Sequence, residues 1–492
     1  MEEFDLVVRG GTVVTPADTM RADVGVRGGR IVALAASLPA SLAGSGRVVD
    51  AGGLLVLPGG VDSHCHIEQL EANGTVHEER FATASASAFA GGTTSAICFA
   101  SQFRGHPIGP TLDAYRLRAR AAMMDYSFHQ IITDTTPETL AELPRLVASG
   151  IRSFKVFLTY DPLHVDDAQF LQVLVAAKRL GAMVAVHCEN YAAITFMTRA
   201  LIEAGLAAPK YHAWSRPPVV EREATHRAIA LAELVDQPIQ VFHVSCAEVA
   251  EEIARARARG LKVWGETCPQ YLTLTAADMD RPGFEGAKFM CSPPPRDEGE
   301  HARIWTMIQG GVLDVISSDH CGYSFGGNTG KAQNGREAPF RDIPNGIPGL
   351  AARLPIVFSE GVAKGRISEN QFVSLVATNP ARLYGLAAKG RIAIGADADI
   401  VLWDPKRQVR LTSALMQHAI DYTPYEGMEV TGWPVATIRR GEVVMENGTI
   451  RAAPGSGRFL ARGPYPEATP RGVVANGFDP AFDPALAPGP AA

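Results

Sequence analysis

Five apolar segments of this chain run into, or carry, a residue able to ligate a metal, and that arrangement constrains the fold more than any other feature. The first is Leu54-Leu55-Val56-Leu57-Pro58-Gly59-Gly60-Val61-Asp62-Ser63, which leads into His64-Cys65-His66. The others are Ser153-Phe154-Lys155-Val156-Phe157-Leu158-Thr159-Tyr160, Ala182-Met183-Val184-Ala185-Val186-His187, Gln240-Val241-Phe242-His243 and Asp314-Val315-Ile316-Ser317-Ser318-Asp319-His320. Side chains alternate along a strand, so His64 and His66 share a face and can reach one ion. A lone His-x-His pair suits a satisfied core equally well. Four further buried strands with ligand-type residues at their carboxyl ends change the reading, because that is where a (β/α)8 barrel gathers its catalytic groups.

Eight candidate strands fall near Val61 and over residues 94–99, 128–132, 154–158, 183–186, 239–244, 262–264 and 314–317, with helical patterns between most of them, including 112–123, 166–180 and 222–234. This βαβ rhythm predicts an α/β fold with a closed TIM-like barrel. An open doubly wound sheet is the alternative, disfavoured because no Gly-rich phosphate loop follows the first strand. Residues 4–57 alternate apolar and polar with Gly turns, and the same texture returns at 392–403 and 435–444, so the two ends are expected to build one small β-sandwich. The expected units are 1–57 with 391–455 as the sandwich, 58–390 as the barrel, and 456–492 as a Pro/Gly/Ala-rich tail. Few periodic apolar residues mark the tail, which is expected to bury little by itself and to serve as a tail or as an arm on a neighbouring subunit.

A chain of 492 residues can bury a large core. Its formal net charge of −6, with Lys and Arg scattered, provides no cationic field for nucleic acid. Seven cysteines without a CxxC pair fit a reducing compartment. The acidic start Met1-Glu2-Glu3-Phe4-Asp5 is unlike a signal peptide and no apolar run approaches membrane-spanning length, so a cytoplasmic protein without membrane partners is expected.

Linked motifs then add to the reading: Pro58 to His66, Gly91-Gly92-Thr93-Thr94, Ser153-Phe154-Lys155, Val186-His187-Cys188-Glu189-Asn190, Gly265-Glu266-Thr267-Cys268-Pro269-Gln270-Tyr271-Leu272, Ser318-Asp319-His320 and Ile343-Pro344-Asn345-Gly346. In this order, from about Phe4 to Pro464, they resemble the cyclic amidohydrolases of the dihydropyrimidinase and hydantoinase family. The resemblance implies two divalent metal ions, zinc by habit with manganese, cobalt or nickel as alternatives. His64, His66 and Asp319 would hold one ion, His187 and His243 the other, with Lys155 bridging them as N6-carboxylysine. A free amine has one lone pair and an ammonium none, whereas an added carboxylate offers two oxygens.

The family's chemistry is the opening of a cyclic ureide or imide by a hydroxide held between the ions, whose bound water is acidified towards a pKa of about 7. Asp319 would act as general base and then general acid. Tyr160 would steady the oxyanion, and Ser292 and Asn345 would hold the substrate's edge through backbone groups. A dihydropyrimidinase acting on dihydrouracil and dihydrothymine is the first expectation, favoured by the Gly265 to Leu272 motif and by residues 421–434. A D-hydantoinase is the second and a non-enzymatic scaffold a remote third. A homotetramer, or a dimer, is the expected assembly.

Glu68 stands where dihydroorotase-like enzymes place an Arg for a substrate carboxylate, so a carboxylate-bearing ring is disfavoured. The Glu68 to Gly74 loop also departs from common hydantoinases, which leaves open what the pocket admits at ring position 5 or 6. His77, His106, His129, His164, His212, His226, His301 and His418 fall outside the ligand pattern. Cys321, next but one to Asp319, is a candidate for the pocket wall.

Overall fold

The computed structural model describes residues 3–71, 76–327, 330–475 and 479–481. Residues 72–74 of the Glu68 to Gly74 loop and residues 476–478 and 482–492 of the tail lie outside these. The barrel strands are β1 (Gly60–His66), β2 (Thr93–Ala100), β3 (Asp125–Ile131), β4 (Ser153–Phe157), β5 (Met183–His187), β6 (Ile239–Val241), β7 (Val263–Thr267) and β8, which comes in two pieces, Val315–Ile316 and His320–Cys321. Neighbours pair in parallel and in chain order from β1 to β8.

The ring closes through the divided eighth strand. Val315–Ile316 pairs with β7, while His320–Cys321 pairs with Cys65 and His66 of β1. Between the pieces, Ser318 N–H donates to the Asp62 carboxylate at 3.1 Å. The buried Arg353 guanidinium fills the seam below, donating to the carbonyls of Val61 and Ile316 at 3.1 and 3.0 Å and to Thr93 Oγ1 at 2.9 Å.

Helices α1 (Phe81–Ala90), α2 (Ile108–Ala119), α3 (Pro137–Ala148), α4 (Asp167–Leu180), α5 (Tyr191–Glu203), α6 (Pro218–Val235), α7 (Ala247–Ala258) and α8 (Glu298–Gln309) lie between successive strands. In α4 the reasons are local. Asp166 caps the first turn in a reciprocal box with Gln169, Phe170, Val173, Leu174 and Ala177 form the buried stripe, and Gly181 at φ 61° ends the helix in the left-handed region. Helix α2 starts four residues before the expected 112–123, because the Glu142 carboxylate accepts from the N–H groups of Ile108 and Gly109 at 3.0 and 2.8 Å and so caps an earlier turn.

Both termini build the sandwich. A four-stranded sheet comprises Arg30–Ala35, Asp23–Arg27, Leu6–Arg9 and Arg47–Asp50; in a seven-stranded sheet, the N-terminal Thr12–Val14, Thr19–Arg21 and Leu55–Pro58 join Ile400–Arg410, Glu429–Arg439, Glu442–Glu446 and Thr449–Ile450. Leu6, Val8, Val24 and Ile31 of the first meet Val56, Ile400, Leu402 and Ile438 of the second in one apolar layer. Where the barrel meets this layer, the buried Lys389 ammonium is ringed by Asp125, Asp399 and Asp397 at 2.6, 2.8 and 3.0 Å.

The tail buries more than its composition suggests. Its apolar residues are sparse but placed where they count. Phe459 packs on Phe128 with ring centroids 5.4 Å apart, and Tyr465 and Ala468 join the barrel-interior cluster containing Val61, Ile97 and Ile131. Arg462 N–H donates to Gly150 O at 3.1 Å, and Arg471 pairs with Asp236 at 3.0 Å. Up to residue 475 the segment lies across the amino ends of its own barrel's strands. Among the described residues, no helix is long and apolar enough to cross a membrane.

Candidate active site

All nine residues expected at the site line one cavity of about 600 Å³: His64, His66, Lys155, Tyr160, His187, His243, Ser292, Asp319 and Asn345. They arrive there because His64 and His66 end β1, Lys155 and Tyr160 lie in and just after β4, His187 ends β5, His243 follows β6, Asp319 interrupts β8, and Ser292 and Asn345 sit on the loops after β7 and β8. Among the described residues eight non-glycines have left-handed backbone, and three of them belong to this set, Tyr160 at φ 72°, His243 at φ 40° and Asp319 at φ 48°. Such conformations cost of order 1–3 kcal/mol each and persist where packing imposes them, commonly at functional sites. At Asp319 the turn coincides with the break in β8, which releases the carboxylate from the strand's pleat.

The tightest cluster is His64, His66 and Asp319, whose potential ligand atoms all lie within 4.8 Å of one another. Asp319 Oδ1 is 3.0 Å from His64 Nε2 and 3.4 Å from His66 Nε2, and the two Nε2 atoms are 3.3 Å apart. The opposite ring nitrogens are already committed. His64 Nδ1 meets Glu266 Oε1 at 2.6 Å, and His66 Nδ1 meets Gln69 Oε1 at 2.7 Å. Since both partners are acceptors, each Nδ1 carries the proton and each Nε2 presents a lone pair to its neighbour. Two lone pairs and a carboxylate oxygen converging in a buried space fit a cation, with the outer partners setting the tautomers.

The second group lies beside it. The His187 and His243 rings are 4.4 Å apart, and His243 is 5.4 Å from His64. His187 Nε2 meets Glu189 Oε2 at 2.7 Å, leaving Nδ1 open, and Glu189 is in turn held by Arg216 at 2.6 Å. His243 Nδ1 and Lys155 Nζ are buried without a hydrogen-bond partner. Lys155 is wrapped instead by the faces of Phe242, Phe157 and Phe99, with Nζ 4.2, 4.8 and 5.8 Å from their centroids. Orphaned nitrogens in so polar a pocket fit a second ligand set.

Protonation follows the same pattern. Burial pushes His187 and His243 well below the ordinary imidazole range, helped for His187 by Lys155 and for His243 by His187, and burial also lowers His66. Burial opposes the charge on His64, yet Asp319 and Glu266 outweigh it and raise its pKa. Burial alone would raise Asp319, but the facing His64 and His66 hold it well below the carboxylate range. Burial brings Lys155 down to about 7. It also raises the Tyr160 phenol, which therefore stays a donor at neutral pH. Neutral His66, His187 and His243 beside an ionised carboxylate are the forms a metal binds, and at His64 a cation would take the place of the proton that Asp319 and Glu266 favour.

On the recognition side, Ser292 Oγ lies 3.2 Å from His212 Nε2, Asn345 Oδ1 is buried without a partner, and Gly346 N–H donates to Met290 O at 3.0 Å, joining the two loops. Sequence reasoning left several wall residues unassigned. His77 and His212 line the cavity although neither belongs to the ligand cluster, and so do Gln69, Glu71, Arg216 and Tyr323, while Cys321 lies in the wall as expected. Glu266 sat within a recognised motif, but its role as partner to His64 has no local signature. Glu68 points elsewhere: its carboxylate accepts from Phe81 N–H at 3.2 Å and from Arg80 at 3.0 Å, capping α1.

With this geometry established, the chain can be set beside known proteins. Residues 55–444 match the amidohydrolase family. A D-hydantoinase of Ralstonia pickettii is 42% identical over 466 residues, covering 94% of this chain and 100% of that one. A D-hydantoinase of Geobacillus stearothermophilus is 43% identical over 93% of this chain and 97% of its own. Among solved structures, the dihydropyrimidinase from Brevibacillus agri NCHU1002 superposes with a TM-score of 0.90 at 41% identity, covering 95% of this chain and 100% of that one.

Proposed function

Because the chain belongs to the amidohydrolase family, in its hydantoinase and dihydropyrimidinase group, we propose that it is a hydrolase that opens cyclic ureides at a ring C–N bond. The reading is a dihydropyrimidinase, converting 5,6-dihydrouracil and dihydrothymine to N-carbamoyl-β-amino acids. The observation that carries it is the convergence of nine residues from separate strands and loops on one cavity. A second reading, opening of 5-substituted hydantoins to N-carbamoyl amino acids, is favoured by the cavity's volume of about 600 Å³, larger than a single small ring needs, and by the relatives that bear the hydantoinase name.

The donor set supports two divalent ions, zinc first, with His64, His66 and Asp319 on one, His187 and His243 on the other, and Lys155 between. When bound, such a pair supplies Lewis acidity and acidifies water at neutral pH. Lys155, with its pKa near 7, is about half free amine at neutral pH, against almost none for an exposed lysine. That form adds to carbon dioxide, releasing one proton and leaving a carbamate with two oxygens.

Asp319 takes the proton from the attacking water as oxygen bonds to the ring carbonyl carbon, and delivers it to the ring nitrogen as the C–N bond breaks. Tyr160, kept protonated by burial, donates to the developing oxyanion, a contribution of about 2.7–4 kcal/mol. Backbone groups at Ser292 and Asn345 orient the ureide edge, which alternates carbonyl and N–H. The same reading takes 58–390 as the catalytic barrel, 1–57 with 391–455 as its sandwich, and the assembly as a cytoplasmic homotetramer.

The test is kcat/KM of the zinc-loaded protein for dihydrouracil beside 5-phenylhydantoin, following appearance of the ureido acid. Preference for dihydrouracil supports the first reading and preference for the hydantoin the second. Turnover of neither overturns both.

A further inference from the structure

One wall of the cavity takes no part in ring opening. Glu71 Oε1 receives two groups, His77 Nε2 at 2.6 Å and the Tyr323 hydroxyl at 3.0 Å, and the latter two lie 3.1 Å apart. His77 Nδ1 lies 3.2 Å from the backbone carbonyl oxygen of His66, so the ring is held from both sides. All three residues line the cavity. Among the described residues, Glu71 Oε2 takes no hydrogen bond. Burial works to raise this carboxyl, but His77 and Tyr323 hold it below the ordinary range, and it is ionised at neutral pH. On this wall the cavity thus offers an oriented acceptor without a protein partner, as Asn345 Oδ1 does at the substrate-edge loop, while Phe157, Leu163, Tyr191 and Ile194 supply apolar lining elsewhere.

An alkyl or aryl substituent laid against this carboxylate would strip its water without replacing the hydrogen bond, whereas an N–H or O–H would complete it. We propose that Glu71 is a specificity-determining residue and that this chain takes cyclic ureides whose exocyclic group ends in a hydrogen-bond donor. The inference rests on the ring-opening function and names the substrate class within it. A dihydropyrimidine or hydantoin ring sits at the metal ligands, and its substituent reaches the Glu71 wall.

The experiment compares 5-(4-aminobutyl)hydantoin with 5-pentylhydantoin, which replaces the terminal amine by a methyl, using metal-loaded wild-type protein, Glu71→Gln and Glu71→Leu. Thermal melts check that each variant is folded. Wild type is expected to favour the amine by about tenfold or more in kcat/KM, because a site built to hydrogen-bond rejects the analogue that lacks the donor. The ratio is expected to shrink in Glu71→Gln, whose amide oxygen still accepts, and to approach unity or invert in Glu71→Leu. A wild-type preference for the pentyl compound, or a ratio unchanged in Glu71→Leu, overturns the proposal. If dihydrouracil is opened and neither substituted hydantoin is, the proposal falls while ring opening stands. If none of the three is opened, both fall.

Discussion

Lys155 and Lys389 are both buried, one at the mouth of the barrel and one where the barrel meets the sandwich, and they have been given opposite chemistry. Lys155 faces three aromatic rings, makes no hydrogen bond, and is brought by burial to a pKa of about 7. Lys389 suffers the same burial, but Asp399, Asp125 and Asp397 more than reverse it and keep the ammonium charged. Burial therefore does not decide the charge of a lysine; its partners do. At the junction the partners are saturated, as in a structural network. At the mouth they are left with valence to spare, which separates a reactive group from a load-carrying one.

Replacing each lysine by methionine should pull the two regions apart. Lys155→Met is expected to lose at least about a thousandfold in kcat and most of its bound metal, yet, with both proteins metal-free, to melt no lower than wild type, because an apolar isostere removes an unpaired buried amine. Elemental analysis alongside turnover checks this. Lys389→Met should do the reverse, keeping turnover per folded molecule while losing about 3–5 kcal/mol of stability in denaturant unfolding, since the buried Asp399 and Asp125 and the half-buried Asp397 lose the ammonium they share.

That loss should depend on pH in a set direction. Burial works to raise the Asp125 carboxyl, but Lys389 and Arg440 outweigh it and hold it below its ordinary value. A carboxylate depressed on folding stabilises above its unfolded pKa of about 3.9, and that contribution fades as the pH falls further. The gap between wild type and Lys389→Met should thus be full at pH 7 and close below about pH 4. The smallest effect is expected from Glu266→Gln, which keeps an acceptor for His64 Nδ1 but not its charge. Metal affinity should drop roughly 10- to 100-fold with the melting temperature little changed.

Lys155 was legible from sequence and the contrast with Lys389 was not. A lysine within Ser153-Phe154-Lys155-Val156-Phe157 stands out because its neighbours are apolar, and strand periodicity carries His64, His66, His187, His243 and Asp319 to the same end of the barrel. The partners come from far away: Glu266 lies 202 residues from His64, and Arg353 lies 292 residues from the Val61 carbonyl to which it donates. Local pattern holds no record of such pairings. The break in β8 escaped for a different reason: the expected strand stops at residue 317, nothing in Ser318-Asp319-His320 marks a second piece, and only closure on β1 requires the turn at Asp319. The tail escaped because composition averages over Phe459 and Tyr465, two of its four aromatics, among many small residues, and those two pack against the barrel.

The division of the sandwich between the chain's two ends sets an order of assembly. Leu55–Pro58 pairs on one side with Ile400–Arg410 through Ile400 to Trp403. On the ribosome that edge must wait for more than three hundred residues, which at about 5–20 residues per second is roughly 20 to 70 seconds. Throughout that interval a short, fully apolar strand presents unpaired backbone groups, a template for misplaced pairing with other chains. The barrel can close before its sandwich exists, so the last step of folding joins the beginning of the chain to its end. Expression yield should accordingly be more sensitive to synthesis speed and chaperone supply than the stability of the finished molecule would suggest.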